Sequence, residues 1–199
     1  MVNRRKVFCI AGMPGSGKSS LIVKFLEAGD FEATQPYKLV PAEYSPGADL
    51  YVLGVYEAGL AFPGSDKMSL AAQPMAIEFA NSTKSNIMVE GDRLSTISFF
   101  EAILENDDID FEIIYIETSP EILRARYNER GSNQDEKFLK GRETKYKNIL
   151  NKASLEPFIK KFRNDTLKDQ EEILAYIEKR SRMDPHTPKV KENSLEELM

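Results

Sequence analysis

Val7-Phe8-Cys9-Ile10-Ala11-Gly12-Met13-Pro14-Gly15-Ser16-Gly17-Lys18-Ser19 is the stretch that decides the fold of this 199-residue chain. Five apolar residues predict a buried strand, and an amphipathic helix is predicted over 18–28. Between them, Gly12 to Ser19 fits G-x-x-x-x-G-K-[ST] in its proper setting, strand before and helix after. The chemistry needs each part. Glycines let successive backbone N–H groups curl around phosphate oxygens, and the helix N-terminus adds partial positive charge. Gly12, Met13, Pro14, Gly15, Ser16, Gly17, Lys18, Ser19 and the adjoining Ser20 are therefore the candidate phosphate cradle. Lys18 is placed to reach the β- and γ-phosphates, and the Ser19 hydroxyl to ligate Mg²⁺. The expected ligand is ATP with Mg²⁺.

Working outward, short strand patterns alternate with helical ones. Strands are predicted at 37–40, 50–56, 87–89, 112–116 and 158–162, and helices at 69–81, 95–105, 134–153 and from 166 onward. Ser119-Pro120 reads as an N-cap and first helical position, and Thr166-Leu167-Lys168-Asp169 as a capping box. Such alternation predicts an α/β P-loop NTPase of nucleotide-kinase type: a parallel sheet with helices on both faces and a helical lid. The domain is expected over 1–181, with the lid at about 124–150. Residues 182–199, rich in charge and containing His186, are expected to be a mobile or peripheral tail.

Composition narrows the classes further. The net charge is −5 and 41 % of residues are hydrophobic, which is ordinary for a globular chain. No apolar run approaches the roughly 20 residues that span a bilayer, and the basic start (Arg4-Arg5-Lys6) is followed by too short an apolar segment for a secretory signal. The expectation is no membrane association and a cytoplasmic location, that of the host if the chain is phage-encoded. A single cysteine, Cys9, excludes an internal disulfide, and with one histidine it makes a zinc site improbable. Acidity argues against broad electrostatic nucleic-acid binding but leaves room for a local basic patch.

Two constellations point to phosphoryl transfer. Glu90-Gly91-Asp92-Arg93 closes a strand with two carboxylates and an arginine. Either carboxylate is a candidate for holding Mg²⁺ through water, the other for accepting a proton, with Arg93 available to an anionic acceptor. Residues 124–147 hold eight Lys/Arg and four acidic residues. Arg126, Arg130 and Arg142 are the candidates there for neutralising the transferring phosphoryl group as a lid closes, with Lys140 beside them. Asp66, in the loop between a strand and a helix, competes with Asp92 for the role of base; its plainer alternative is a helix-start aspartate. Tyr37, Tyr44, Tyr51 and Tyr56 are core residues or base-stacking ones. The guanine-reading Asn-Lys-x-Asp of translational-type GTPases is absent, since Asn151-Lys152 runs into Ala-Ser.

Together, Gly12–Ser19, Gly64-Ser65-Asp66-Lys67-Met68-Ser69-Leu70 with Gln73-Pro74, Glu90-Gly91-Asp92-Arg93, and Asn133-Gln134 with Phe138-Leu139-Lys140-Gly141-Arg142 and Lys145 resemble bacteriophage small P-loop kinases. The nearest resemblance is to the 5-hydroxymethyluracil DNA kinases, over about residues 5–180. It implies ATP and Mg²⁺, transfer to the 5-hydroxymethyl group of a modified pyrimidine in phage DNA, and Asp66 or Asp92 as the base. Two alternatives stay open: a kinase of a free nucleoside or nucleotide, and a non-catalytic nucleotide-binding regulator.

Overall fold

The computed structural model describes residues 4–57, 60, 63–129 and 136–182. One seven-stranded sheet runs through the molecule. Its strands are β1 (Arg5–Gly12), β2 (Glu32–Tyr37), β3 (Val40–Ser45), β4 (Leu50–Leu53), β5 (Asn86–Glu90), β6 (Ile109–Glu117) and β7 (Ile159–Arg163), in the order β2-β3-β4-β5-β1-β6-β7. The five strands from β4 to β7 in that order are mutually parallel, with Cys9 of β1 level with Val89 of β5 and Ile113 of β6.

The sheet is not wholly parallel, which corrects the sequence-based expectation. β2 and β3 form an antiparallel hairpin, and β3 pairs antiparallel with β4. Two chain reversals impose this, one at Lys38-Leu39 and one at residues 46–49, with Leu39 and Asp49 at φ 60° and 46°. β2 escapes the pattern rules because it is polar, carries Pro36 and lies exposed at the sheet edge. An edge is where a strand tolerates a missing N–H.

The helices are α1 (Lys18–Glu27), α2 (Ala72–Ser82), α3 (Ile97–Leu104), α4 (Pro120–Glu129), α5 (Glu136–Leu150) and α6 (Leu167–Arg182). Side-chain alternation along β1 sends Phe8 and Ile10 to one face, where Leu21, Ile22 and Phe25 of α1 and Ile173 and Ile177 of α6 cover them. Val7, Cys9 and Ala11 face the opposite core with α2, α3 and the end of α5. Tyr37 and Tyr51 pack there against Phe79, so they are core residues. Thr96 caps α3, its hydroxyl accepting from Phe99 N. The capping box at α6 forms as expected: Asp169 N donates to Thr166 Oγ1 while the Asp169 carboxylate accepts from Thr166 N. Among the described residues no helix is long and apolar enough to cross a membrane. Arg130, Gln134 and the tail beyond Arg182, His186 included, lie outside the described residues.

Candidate active site

β1 lies between β5 and β6, so their carboxyl ends flank the loop that follows it, the place where such sheets take ligands. Gly12, Gly15 and Gly17 stand at φ 151°, 76° and 90°. At Gly17 a side chain is forbidden twice over: the backbone is left-handed, and a Cβ would meet Asn164 Nδ2 at 2.6 Å. Lys18 is buried, its Nζ donating to Gly12 O at 2.8 Å and Met13 O at 3.0 Å. Ser20 is exposed on the first turn of α1. Strand, loop and helix together give the chain an α/β P-loop NTPase fold.

Three side chains brace the loop from outside it. Asn164, fully buried after β7, donates to Ser16 O at 2.6 Å. Tyr127 donates to Pro14 O at 2.6 Å, and Arg126 donates to Gly15 O at 3.2 Å and Asn164 O at 3.0 Å. Arg126, a candidate for neutralising the transferring phosphoryl group, is seated on the phosphate loop, where α4 packs over the glycines. Tyr127 carried no sequence signal, since one tyrosine on a polar helix is unremarkable.

The carboxylates separate into three environments. Glu90 ends β5 level with Ile10, is 2 % exposed, and accepts the Ser19 hydroxyl at 3.0 Å on Oε1. Its Oε2 is buried with no hydrogen-bond partner among the described residues. Gly64 makes room for that oxygen, since a Cβ there would approach it to 2.2 Å. Burial pushes the Glu90 carboxyl up to about 7, with Asp66 adding to the rise and Lys18 opposing it. Asp66 is exposed and accepts from Arg93 N at 3.0 Å, while Arg93 Nη2 reaches Asp66 O at 3.4 Å.

Asp92 is fully engaged. It pairs with Arg142 Nε at 2.8 Å and Lys145 Nζ at 3.6 Å, and accepts a hydrogen bond from the Tyr146 hydroxyl. Lys145 Nζ also donates to Asp92 O at 2.7 Å. Tyr146 and Ile149 are buried, so this cluster ties the carboxyl half of α5 to the end of β5. Arg142 faces Asp92, while Lys140 lies on the exposed side of α5. Asp92→Asn keeps the shape but strands two cations at a site only 14 % exposed, and is expected to cost about 1–3 kcal/mol. Urea unfolding reads that loss. A Mg²⁺ titration of ATP binding is expected to stay unchanged, separating an anchoring role from a metal-holding one.

A divalent cation suits what is present. The Ser19 hydroxyl and the unpartnered buried oxygen of Glu90 supply hard oxygen donors, and phosphate oxygens complete such a shell. Among the described residues no cluster of three or more His, Cys, Asp or Glu is placed to hold a metal unaided.

No protein-family profile matches the chain, and no curated protein is similar to it. Among solved structures it is similar to an unliganded sugar kinase from a Janibacter species, at 11 % identity over 88 % of this chain and 95 % of that one, TM-score 0.46. It is also similar to a gluconokinase from Sinorhizobium meliloti, at 12 % identity over 88 % and 94 %, TM-score 0.42.

Proposed function

We propose that the chain is an ATP-dependent phosphotransferase acting on a hydroxyl group. The observation that carries this is the bond from Ser19 to the buried Glu90 beside Lys18, with the exposed carboxylate of Asp66 on the neighbouring loop. The resemblance in residues 64–74, 90–93 and 133–145 directs the reading to the 5-hydroxymethyl group of a modified pyrimidine in phage DNA.

In this reading Lys18 holds the β- and γ-phosphates. Ser19 and Glu90 would hold Mg²⁺, which when bound would neutralise phosphate charge. Asp66 takes the proton of the acceptor hydroxyl, held toward it by Arg93. The acceptor oxygen bonds to the γ-phosphorus as the bond to the β–γ bridging oxygen breaks, and that electron pair leaves with ADP. Arg126 secures the loop, and Arg142 supports the site through Asp92. Arg130 is proposed as a further phosphate-neutralising residue and Lys140 as a substrate contact.

A second reading, a free nucleoside or nucleotide as acceptor, is favoured by how the basic residues are spent. Lys161 pairs with Glu117, Arg163 with Asp165, and Lys160 sits 3.8 Å over the Tyr176 ring. Arg142 and Lys145 belong to Asp92. These are among the cations that DNA phosphates would need.

Transfer of labelled phosphate from ATP to a hydroxymethylated oligonucleotide and to the matching mononucleotide, across a salt series, tests the choice. The DNA reading expects the oligonucleotide to be preferred, with affinity falling steeply with salt. Faster, salt-insensitive transfer to the mononucleotide selects the second reading. Transfer to neither, with ATP still bound, selects the regulator.

A further inference from the structure

One corner of the molecule gathers several unsatisfied buried polar atoms. Just past β4, Val55 pairs with Gly64 by two backbone bonds, Val55 N to Gly64 O at 3.1 Å and Gly64 N to Val55 O at 2.8 Å. This brings Tyr56 and Ser65 beside the end of β5. Tyr56 OH, Ser65 Oγ and Glu90 Oε2 are each buried there without a hydrogen-bond partner among the described residues, and so is Arg93 Nε on the turn that follows β5. Ser65 is wholly buried and Glu90 is 2 % exposed. Buried polar groups are almost always paired, because an unpaired one forfeits its water and gains nothing. Two orphaned hydroxyls beside an orphaned carboxylate oxygen, with an orphaned guanidinium N–H on the turn that follows β5, mark a site whose partner is a ligand.

Resting on the phosphotransferase reading, we infer that Tyr56, Ser65 and Arg93 form the subsite that holds the body of the acceptor, and that this body is uncharged and presents carbonyl or hydroxyl oxygens. Two features set the chemistry. The first is donor polarity. Arg93 Nε–H can only donate, and the Tyr56 phenol carries a proton to donate at neutral pH. Ser65 adds a hydroxyl that donates or accepts. A ligand with oxygen acceptors matches these groups.

The second feature is charge. The phenol has Glu90, Asp66 and Glu43 as its acidic neighbours, and Arg93 already lies against Asp66 through its N–H and Nη2. A phosphomonoester dianion in this place meets the carboxyl groups of Asp66, Glu43 and Glu90, against one guanidinium that is partly spent. An uncharged ring or alcohol meets none of that repulsion. The subsite therefore selects an uncharged acceptor body over a phosphate acceptor, whether that body is free or part of a polymer.

The test exploits the absence of partners. Tyr56→Phe and Ser65→Ala each remove a hydroxyl that bonds to none of the described residues. Both variants are expected to melt at or above the wild-type temperature. Both are expected to raise KM for the acceptor about fivefold to tenfold while leaving KM for ATP within twofold. The acceptor probes are a single-stranded oligonucleotide with one 5-hydroxymethyluracil, the nucleoside 5-hydroxymethyl-2′-deoxyuridine, and thymidine 5′-monophosphate. A fall in melting temperature with unchanged acceptor KM makes the two hydroxyls structural and overturns the inference. Transfer onto the phosphate of thymidine 5′-monophosphate overturns the uncharged subsite but leaves the phosphotransferase reading standing. Wild-type protein that binds ATP yet neither binds nor phosphorylates any probe overturns both.

Discussion

Lys18→Ala is expected to give a folded protein whose phosphoryl transfer is slower by on the order of 10²–10³-fold, the usual cost of losing a preorganised charge at the reacting group. Lys18 is the one cation within the loop itself. In the ligand-free protein its Nζ spans Gly12 O and Met13 O, so it is held at the loop before any phosphate arrives. Its contacts strengthen as charge builds on the transferring group, so the rate falls further than ground-state ATP affinity. The fold survives because the amine lies at the loop and not in either apolar layer. The two lost backbone contacts are offset by relief from holding a buried ammonium. A net loss of about 1 kcal/mol, or roughly 2–4 °C in melting temperature, is expected. Thermal unfolding and single-turnover transfer measured on one preparation separate the two effects. A folded Lys18→Ala protein with wild-type transfer overturns the phosphotransferase reading.

Glu90→Gln is expected to act on stability and on the metal in opposite directions. Burial raises the Glu90 carboxyl from an ordinary 4.5 to about 7, so the folded protein holds this proton more tightly than the unfolded chain does. The proton's contribution is fully present below about pH 4.5 and is lost as pH rises through 7. The loss amounts to about 3 kcal/mol, from roughly 1.4 kcal/mol for each pH unit between the two values. Glutamine carries no such proton. The variant is therefore expected to match wild type near pH 4 and to exceed it by up to about 3 kcal/mol at pH 8 in the absence of ligand. Glutamine also lacks the charge that holds a cation beside Ser19, so the Mg²⁺ concentration needed for half-maximal ATP binding should rise at least tenfold. Urea unfolding of both proteins from pH 4 to 8, without and with Mg²⁺ and ATP, reads both effects. A difference in stability that does not change with pH removes Glu90 from this role.

The two predictions differ in where they come from. Lys18 is legible at once, because Gly12 to Ser19 is a local device: spacing, glycines and the following helix are all set by neighbours in the chain. Glu90 was legible as a carboxylate at a strand end. Its pairing with Ser19, 71 positions away, follows from β5 lying next to β1. Asp92 shows the limit from the other side. Two residues from Glu90 and equal to it as a candidate base or metal holder, it proves bound to Arg142, Lys145 and Tyr146 of a helix some fifty residues on.

The phosphate loop, with the strand before it and the helix after it, and the capping of α6 are readable in the chain alone, because each depends on periodicity, turn chemistry or a cap within a few residues. Only the folded chain shows that β2 and β3 run antiparallel at an exposed edge, that Arg126, Tyr127 and Asn164 brace the loop, and that Tyr56 and Ser65 lie buried near the end of β5 with no hydrogen-bond partner among the described residues. The physical reason is the reach of the interactions. Helix and turn preferences act over about four residues, whereas burial and unpaired hydrogen-bonding groups arise only where the sheet sets distant strand ends side by side.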